Sequence, residues 1–250
     1  MSDFVAVIPA RYASTRLPAK ALADIDGMPM VVHVARRARE SGAREVWVAT
    51  DHEAITAAVE AQGFNARMTS ASHASGTDRI AELAQDWHPD TIVVNVQGDE
   101  PLIDPLLISD VARALADSPD IQMSTACCPI RDWADMRNPN IVKVVMDAAG
   151  RALYFSRAEI PYARDASRNE PVPEGLAYRH IGIYAYRAGF LRTYAALPPA
   201  PLEKHEALEQ LRLLWHGYRI GVIHADIPHG GVDTEEDLVR VRKFFSKENK

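Results

Sequence analysis

The sequence predicts an α/β protein: a mostly parallel, doubly wound sheet, with a smaller mixed α+β part contributed by the later chain. Three observations carry this. Short β-rich runs alternate with longer runs of helical periodicity, the pattern of strands joined through helices. One run, Thr91–Val96 (TIVVNV), is apolar enough to be a central strand covered on both faces. Finally, 250 residues of which 47% are hydrophobic suffice to bury a core of that size within one domain.

In order, Phe4–Ile8 is a buried strand ended by Pro9. Met30–Ser41 places Val31, Val34, Ala35 and Ala38 on one helical stripe, and Gly42 stops it. Val46–Ala49 is the next strand, after which Asp51 is expected to cap a helix with Ile55, Ala58 and Val59 on its apolar face. Pro105–Ala116 is a helix following the central strand. From about Gln122 the pattern becomes mixed, with strands expected at 122–128, 142–146, 153–155, 181–186 and 220–225. Two helices, near Glu206–His216 and Glu235–Phe245, complete the chain, and the polar, proline-bearing 163–176 stretch is expected to be an exposed, mobile loop.

Lys and Arg number 28 against 34 Asp and Glu, a formal net charge of −6. That balance argues against non-specific nucleic-acid binding, which needs many phosphates neutralised. A local cluster of arginines still suffices for a small anion. No signal-like segment opens the sequence and no long apolar run occurs, so a cytoplasmic location with no membrane partner is expected. The two cysteines, Cys127 and Cys128, are adjacent within an apolar run and are expected to be reduced core residues.

Two segments carry chemistry. The first strand runs into Pro9–Lys20 (PARYASTRLPAK), where Arg11, Arg16 and Lys20 lie with little acid to pair them. Ligands of open α/β sheets sit beyond the carboxyl ends of strands, which favours a phosphate-binding role over a solvated basic loop. This is not a P-loop. The central strand is followed by Gln97-Gly98-Asp99-Glu100, placing a carboxylate at a strand end beside a glycine. Magnesium needs only one or two protein carboxylates when phosphates and water complete its shell. Asp233, in Gly230–Asp237 (GGVDTEED), is the second candidate, although Thr234 and Asp237 also read as a capping box there.

Seven segments taken together, PARYASTRLPAK, SGTDR (Ser75–Arg79), VNVQGDEP (Val94–Pro101), YFSRAEIP (Tyr154–Pro161), RHIGIYAYR (Arg179–Arg187), LEQLR (Leu208–Arg212) and GVDTEEDL (Gly231–Leu238), closely resemble the 3-deoxy-manno-octulosonate (Kdo) cytidylyltransferases. The resemblance covers nearly the whole chain in the expected order. It implies the reaction CTP plus Kdo to CMP-Kdo plus pyrophosphate, serving lipopolysaccharide synthesis, in a cytoplasmic homodimer of one nucleotidyltransferase domain. Within it, residues 1–120 would be mainly the nucleotide-binding core, 121–225 the sugar-binding and dimer part, and 226–250 the C-terminal metal loop and helix. It assigns Arg11, Arg16 and Lys20 to the triphosphate and Ala10, Ser75, Gly76 and Thr77 to the cytidine side, with Gln97 and Arg79 bordering the sugar. Asp99 and Asp233 become the magnesium pair. Arg157, His180, Tyr184, Glu209 and Gln210 become the sugar contacts. Ala19 and Ala21 depart from the glycine and proline common in the family. On this reading magnesium on the two aspartates orients both reactants and lowers the acceptor hydroxyl's pKa without a dedicated base, while Lys20 and Arg16 stabilise the departing pyrophosphate. An 8-amino form of Kdo, sialic acid, or a glycosyltransferase reaction that releases the nucleotide remain the competing readings.

Overall fold

The computed structural model describes residues 3–13, 17–73, 75–225 and 230–248. Strand β1 (Phe4–Ala10) leads through a small hairpin, β2 (Asp24–Ile25) and β3 (Met28–Pro29), into helix α1 (Met30–Glu40). The alternation continues with β4 (Glu45–Thr50), α2 (Glu53–Glu60), β5 (Asn65–Met68), α3 (Gly76–Leu83), β6 (Ile92–Asn95) and α4 (Pro105–Asp117). Then come β7 (Met123–Pro129), α5 (Trp133–Arg137), β8 (Lys143–Met146), β9 (Ala152–Ser156) and the long β10 (Tyr178–Arg187). Helices α6 (Ala188–Ala196), α7 (Pro201–Glu206) and α8 (Leu211–Trp215) precede β11 (Ile220–His224) and α9 (Glu235–Glu248).

The main sheet has the order β11-β7-β10-β6-β1-β4-β5. Strand β1 is parallel to β4 and β6, while β10 inserts antiparallel between β6 and β7. Strands β8 and β9 branch from β10 as an antiparallel extension. The period-2 alternation of β1 explains the two-sided core. Ala6 and Ile8 pack with α1 and α4 through Val31, Val34, Ile108 and Val111. Val5 and Val7 face the other side, against Ile80 of α3, Leu191 of α6 and Leu211 of α8. Both faces are covered, as a parallel sheet requires.

Three expectations need correction. Helix α2 is capped by His52, whose Nδ1 accepts from Ala54 N at 3.2 Å. Asp51 is engaged elsewhere: Oδ1 accepts from Tyr12 N (3.0 Å) and Oδ2 from Arg79 (3.1 Å). The expected helix over Glu206–His216 is reduced to α8: α7 already ends at Glu206, where Ala207 adopts a left-handed conformation (φ 51), and helix resumes only at Leu211. The 163–176 stretch is not simply exposed. Ala163 and Val172 are buried with Ile130, Trp133, Met136 and Ile141 in a satellite core. Trp133 Nε1 donates to Glu170 O (2.8 Å), and the Arg168 guanidinium lies 3.9 Å over the Trp133 ring while pairing with Glu159.

Candidate active site

Two cavities open at the carboxyl ends of the parallel strands. The first, about 320 Å³, is lined by Ala10, Arg11, Lys20, Ser75, Arg79, Asp99 and Asp233, among others. Ala10 ends β1, and Ser75 caps α3 by accepting from Asp78 N (3.1 Å), so the positive end of that helix opens here. Gly98 is required by close approach: a Cβ there would lie 2.9 Å from Pro9 O, so any side chain would push the strand-end turn off β1. Arg79 is buried and its guanidinium is held by Asp51 and Thr69, which makes it a fixed part of the wall. His73, not singled out from the sequence, also lines this cavity and is bonded to Glu82, a bond that holds the Glu82 carboxyl below its usual range. Arg16 lies outside the described residues.

Asp99 and Asp233 meet at one point. Lys20 Nζ is 2.6 Å from Asp99 Oδ2 and 3.2 Å from Asp233 Oδ1. Val232 N donates to Asp99 O (2.8 Å), docking the C-terminal loop beside the β6 end. The capping box read from the sequence is present as well: Asp237 N donates to Thr234 Oγ1 (3.2 Å), and Asp237 Oδ2 accepts from Thr234 N (3.1 Å). Lys20 is delivered by Ala19, which holds φ 51 where the resembling family commonly has glycine, a left-handed geometry costing about 1 kcal/mol for alanine. Beside the pair, burial first and the Asp99 charge second push the Glu100 carboxyl up to about 8. Among the described residues no group of three or more His, Cys, Asp or Glu could hold a metal. A cation bound at Asp99 and Asp233 would therefore have two hard oxygen donors and draw the rest from phosphate and water, a donor set that fits magnesium.

The second cavity, about 340 Å³, lies against β10 and the α7–α8 break, with Thr77, Asn95, His180, Tyr184, Glu209 and Gln210 among its lining. Its lining is polar, with one guanidinium, Arg179, and one carboxylate, Glu209, among otherwise neutral groups. Burial drives the His180 ring down to about 3, and Thr125 Oγ1 lies 3.0 Å from its Nε2. Burial also raises the Tyr184 hydroxyl, with the Glu209 charge adding to it. Glu209 itself is raised by burial, and its Oε2 accepts from Thr77 Oγ1 (3.2 Å). Asn95 Oδ1 and Gln210 Nε2 are buried without a hydrogen-bond partner. Both residues line this cavity, and each unmatched atom costs roughly 1–3 kcal/mol.

Gly76, Gln97 and Glu209 line both cavities. The structure thus brings Ala10, Arg11, Lys20, Ser75, Arg79, Asp99 and Asp233 to the first cavity, and Thr77, His180, Tyr184 and Gln210 to the second. Arg157 lines neither. Its Nε donates to Glu206 O (2.8 Å) and Nη1 to Pro139 O (3.0 Å), so it ties the α7 end to the 138–141 turn. Arg179 and Asn95 line the second cavity and were not singled out, although both fall inside the quoted motifs.

Comparison with known proteins identifies the family and the fold. A cytidylyltransferase family model matches residues 5–220. A CMP:2-keto-3-deoxy-manno-octonic acid synthetase, solved in complex with CTP, is 43% identical, covers 99% of this chain and 100% of its own, and superposes with a TM-score of 0.92. A 4-diphosphocytidyl-2C-methyl-D-erythritol synthase from Anaerococcus prevotii, 13% identical over 98% of this chain and 99% of its own, shares the fold at a TM-score of 0.60. So does a Methanothermobacter nucleotidyl transferase, 15% identical over 99% of this chain and all of its own, at 0.59. The chain belongs to the cytidylyltransferase family, a nucleotidyltransferase enzyme with that fold.

Proposed function

We propose that this protein transfers CMP from CTP to 3-deoxy-D-manno-octulosonate, releasing pyrophosphate, for lipopolysaccharide synthesis. The carrying observation is the pair of cavities of different chemistry sharing the wall of Gly76, Gln97 and Glu209. One side carries cations and a dicarboxylate suited to a triphosphate and its metal. The other offers polar atoms together with the Arg179 guanidinium and the Glu209 carboxylate, a set suited to a polyhydroxy acid. The 43% identity to a synthetase solved with CTP supports cytidine over other nucleotides and this acceptor over other acids.

Magnesium held by Asp99 and Asp233 would supply positive charge beside the α-phosphate and help orient both reactants. Lys20, now shared by the two aspartates, stands within reach of the same phosphates and neutralises charge on the leaving pyrophosphate. Arg11 at the cavity lining adds a second cation. Asn95 Oδ1 accepts from an acceptor hydroxyl and Gln210 Nε2 donates to another, orienting the sugar against the shared wall. Among the described residues no helix is long and apolar enough to cross a membrane. The motif resemblance supports a homodimer acting in the cytoplasm.

Pyrophosphate release from CTP and magnesium, across a panel of acidic sugars, tests the reading. Kdo should give the highest kcat/KM, ahead of its 8-amino form and sialic acid. Release of free CMP from a CMP-sugar donor, with no pyrophosphate released from CTP, would identify a glycosyltransferase instead, and silence with every sugar would sink the assignment.

A further inference from the structure

A glycine inside a β-strand calls for a reason, because it packs nothing and weakens the strand relative to alanine. Gly182 stands in the middle of β10, and neither usual reason applies to it. Its backbone is not in the left-handed region, so alanine adopts the same conformation without strain. A Cβ placed there would meet nothing within 4 Å. Among the described glycines, every other one either has a positive φ or has a neighbouring atom within that distance. The fold itself therefore leaves residue 182 free to carry a side chain.

What lies beside it is the acceptor cavity. Strand β10 alternates: Ile181, Ile183 and Ala185 enter the core against α1 and α4, while His180, Gly182, Tyr184 and Tyr186 line the cavity. A bulge interrupts the ladder here, the register with β7 shifting between Ile181 and Tyr184. Thr125 Oγ1 fills it, donating to Ile183 O (2.7 Å) with Ile181 O at 3.2 Å. On a regular strand, positions four residues apart are separated by about 13 Å. Here the His180 and Tyr184 ring centroids are 5.5 Å apart. Two rings are drawn together around the one position on that face with no side chain, and the space over its Cα stays open.

We infer that Gly182 is a specificity-determining residue: the space of its absent side chain is the seat in which the acceptor sugar lies against β10. This rests on the transfer reading above. A cyclic polyhydroxy acid is a thick ligand for a cavity of about 340 Å³. Laid on bare backbone at 182, it comes level with Asn95, which pairs with Tyr184 in the β6–β10 register. A methyl group at 182 would stand in that space and hold the sugar away from the polar wall. Strand stability is given up for depth in the cavity.

Gly182→Ala and Gly182→Val separate this role from a structural one, because they set stability against acceptor use. Both variants should unfold at a urea midpoint at least as high as that of the unsubstituted protein. The sugar KM should rise about tenfold for alanine and further for valine, with the KM of CTP changed no more than a few-fold. A sugar KM unmoved by both substitutions would overturn the inference, as would an equal rise in the CTP KM. A lowered midpoint would overturn it too, by showing that the fold requires the glycine. Calorimetric titration with Kdo reads the seat without turnover. Kdo bound by the unsubstituted protein without pyrophosphate release would fail the transfer reading alone, and weaker binding by the variants would still uphold the seat. A protein that neither binds nor transfers CMP to any acidic sugar would overturn both.

Discussion

The two cavities differ in how they hold their polar groups. On the nucleotide side the groups come from loops at strand ends: Arg11 is exposed, and Lys20 is shared between two half-exposed aspartates. On the acceptor side they come from strand faces and a helix break. Asn95 and Gln210 are at least nine-tenths buried, and His180 is kept neutral. A triphosphate brings charge and counterions with it, so cations at a cavity rim match it and water need not be excluded. Neutral hydroxyls are distinguished only where an unfilled donor or acceptor has no water to turn to. One molecule thus recognises charge at its rim and shape with hydrogen bonding in its interior.

The sharpest way to break that comparison is Asp99→Asn. It leaves the acceptor cavity intact but removes a charge from the dicarboxylate, and kcat should fall about 10²–10³-fold with an unchanged circular dichroism spectrum. Near-normal turnover at saturating magnesium would show that Asp99 holds no metal. Asn95→Ala acts on the other side. Losing one buried acceptor should raise the sugar KM about tenfold, the equivalent of 1.4 kcal/mol, and leave the CTP KM untouched. An equal rise in both would mean that the cavities are not chemically separate.

A further effect is on stability rather than turnover. His180 titrates at about 3 in the folded chain, against 6.5 when unfolded. The unfolded state therefore takes up the proton first as pH falls. The stabilisation is complete above 6.5 and is lost below it, by about 2 kcal/mol between pH 7 and 5. Urea midpoints at those two pH values should differ less for His180→Gln than for the unsubstituted protein; equal differences would show that the ring is not kept neutral.

The sequence made the nucleotide side legible because periodicity places strand ends and strand ends place charges. Arg11, Lys20 and Asp99 all follow from that rule. The acceptor side hid its chemistry. Asn95 sits in an apolar run whose strand reading is correct, yet only the pairing Tyr184↔Asn95 shows which face its amide takes. Periodicity alone puts Glu209 and Gln210 within one helix over Glu206–His216, because the turn that redirects them is made by alanine at a position where glycine would have announced it. Arg157, a cation free in sequence, is consumed by backbone carbonyls in the fold.

Strand β10 has a consequence for the order in which the molecule is made. It lies between β6 and β7, both synthesised well before it, and supplies His180 and Tyr184 to the acceptor cavity. Its pairings are long-range, so their loop-closure entropy is met late in folding. A chain still emerging from the ribosome without residues 178–187 can pair β1, β4, β5 and β6, but β6 and β7 have no strand to join them. The pairs among β1, β4, β5 and β6 are able to form early, whereas the acceptor cavity, and the Asp233 side of the nucleotide cavity, arrive only with the chain from residue 178 onward.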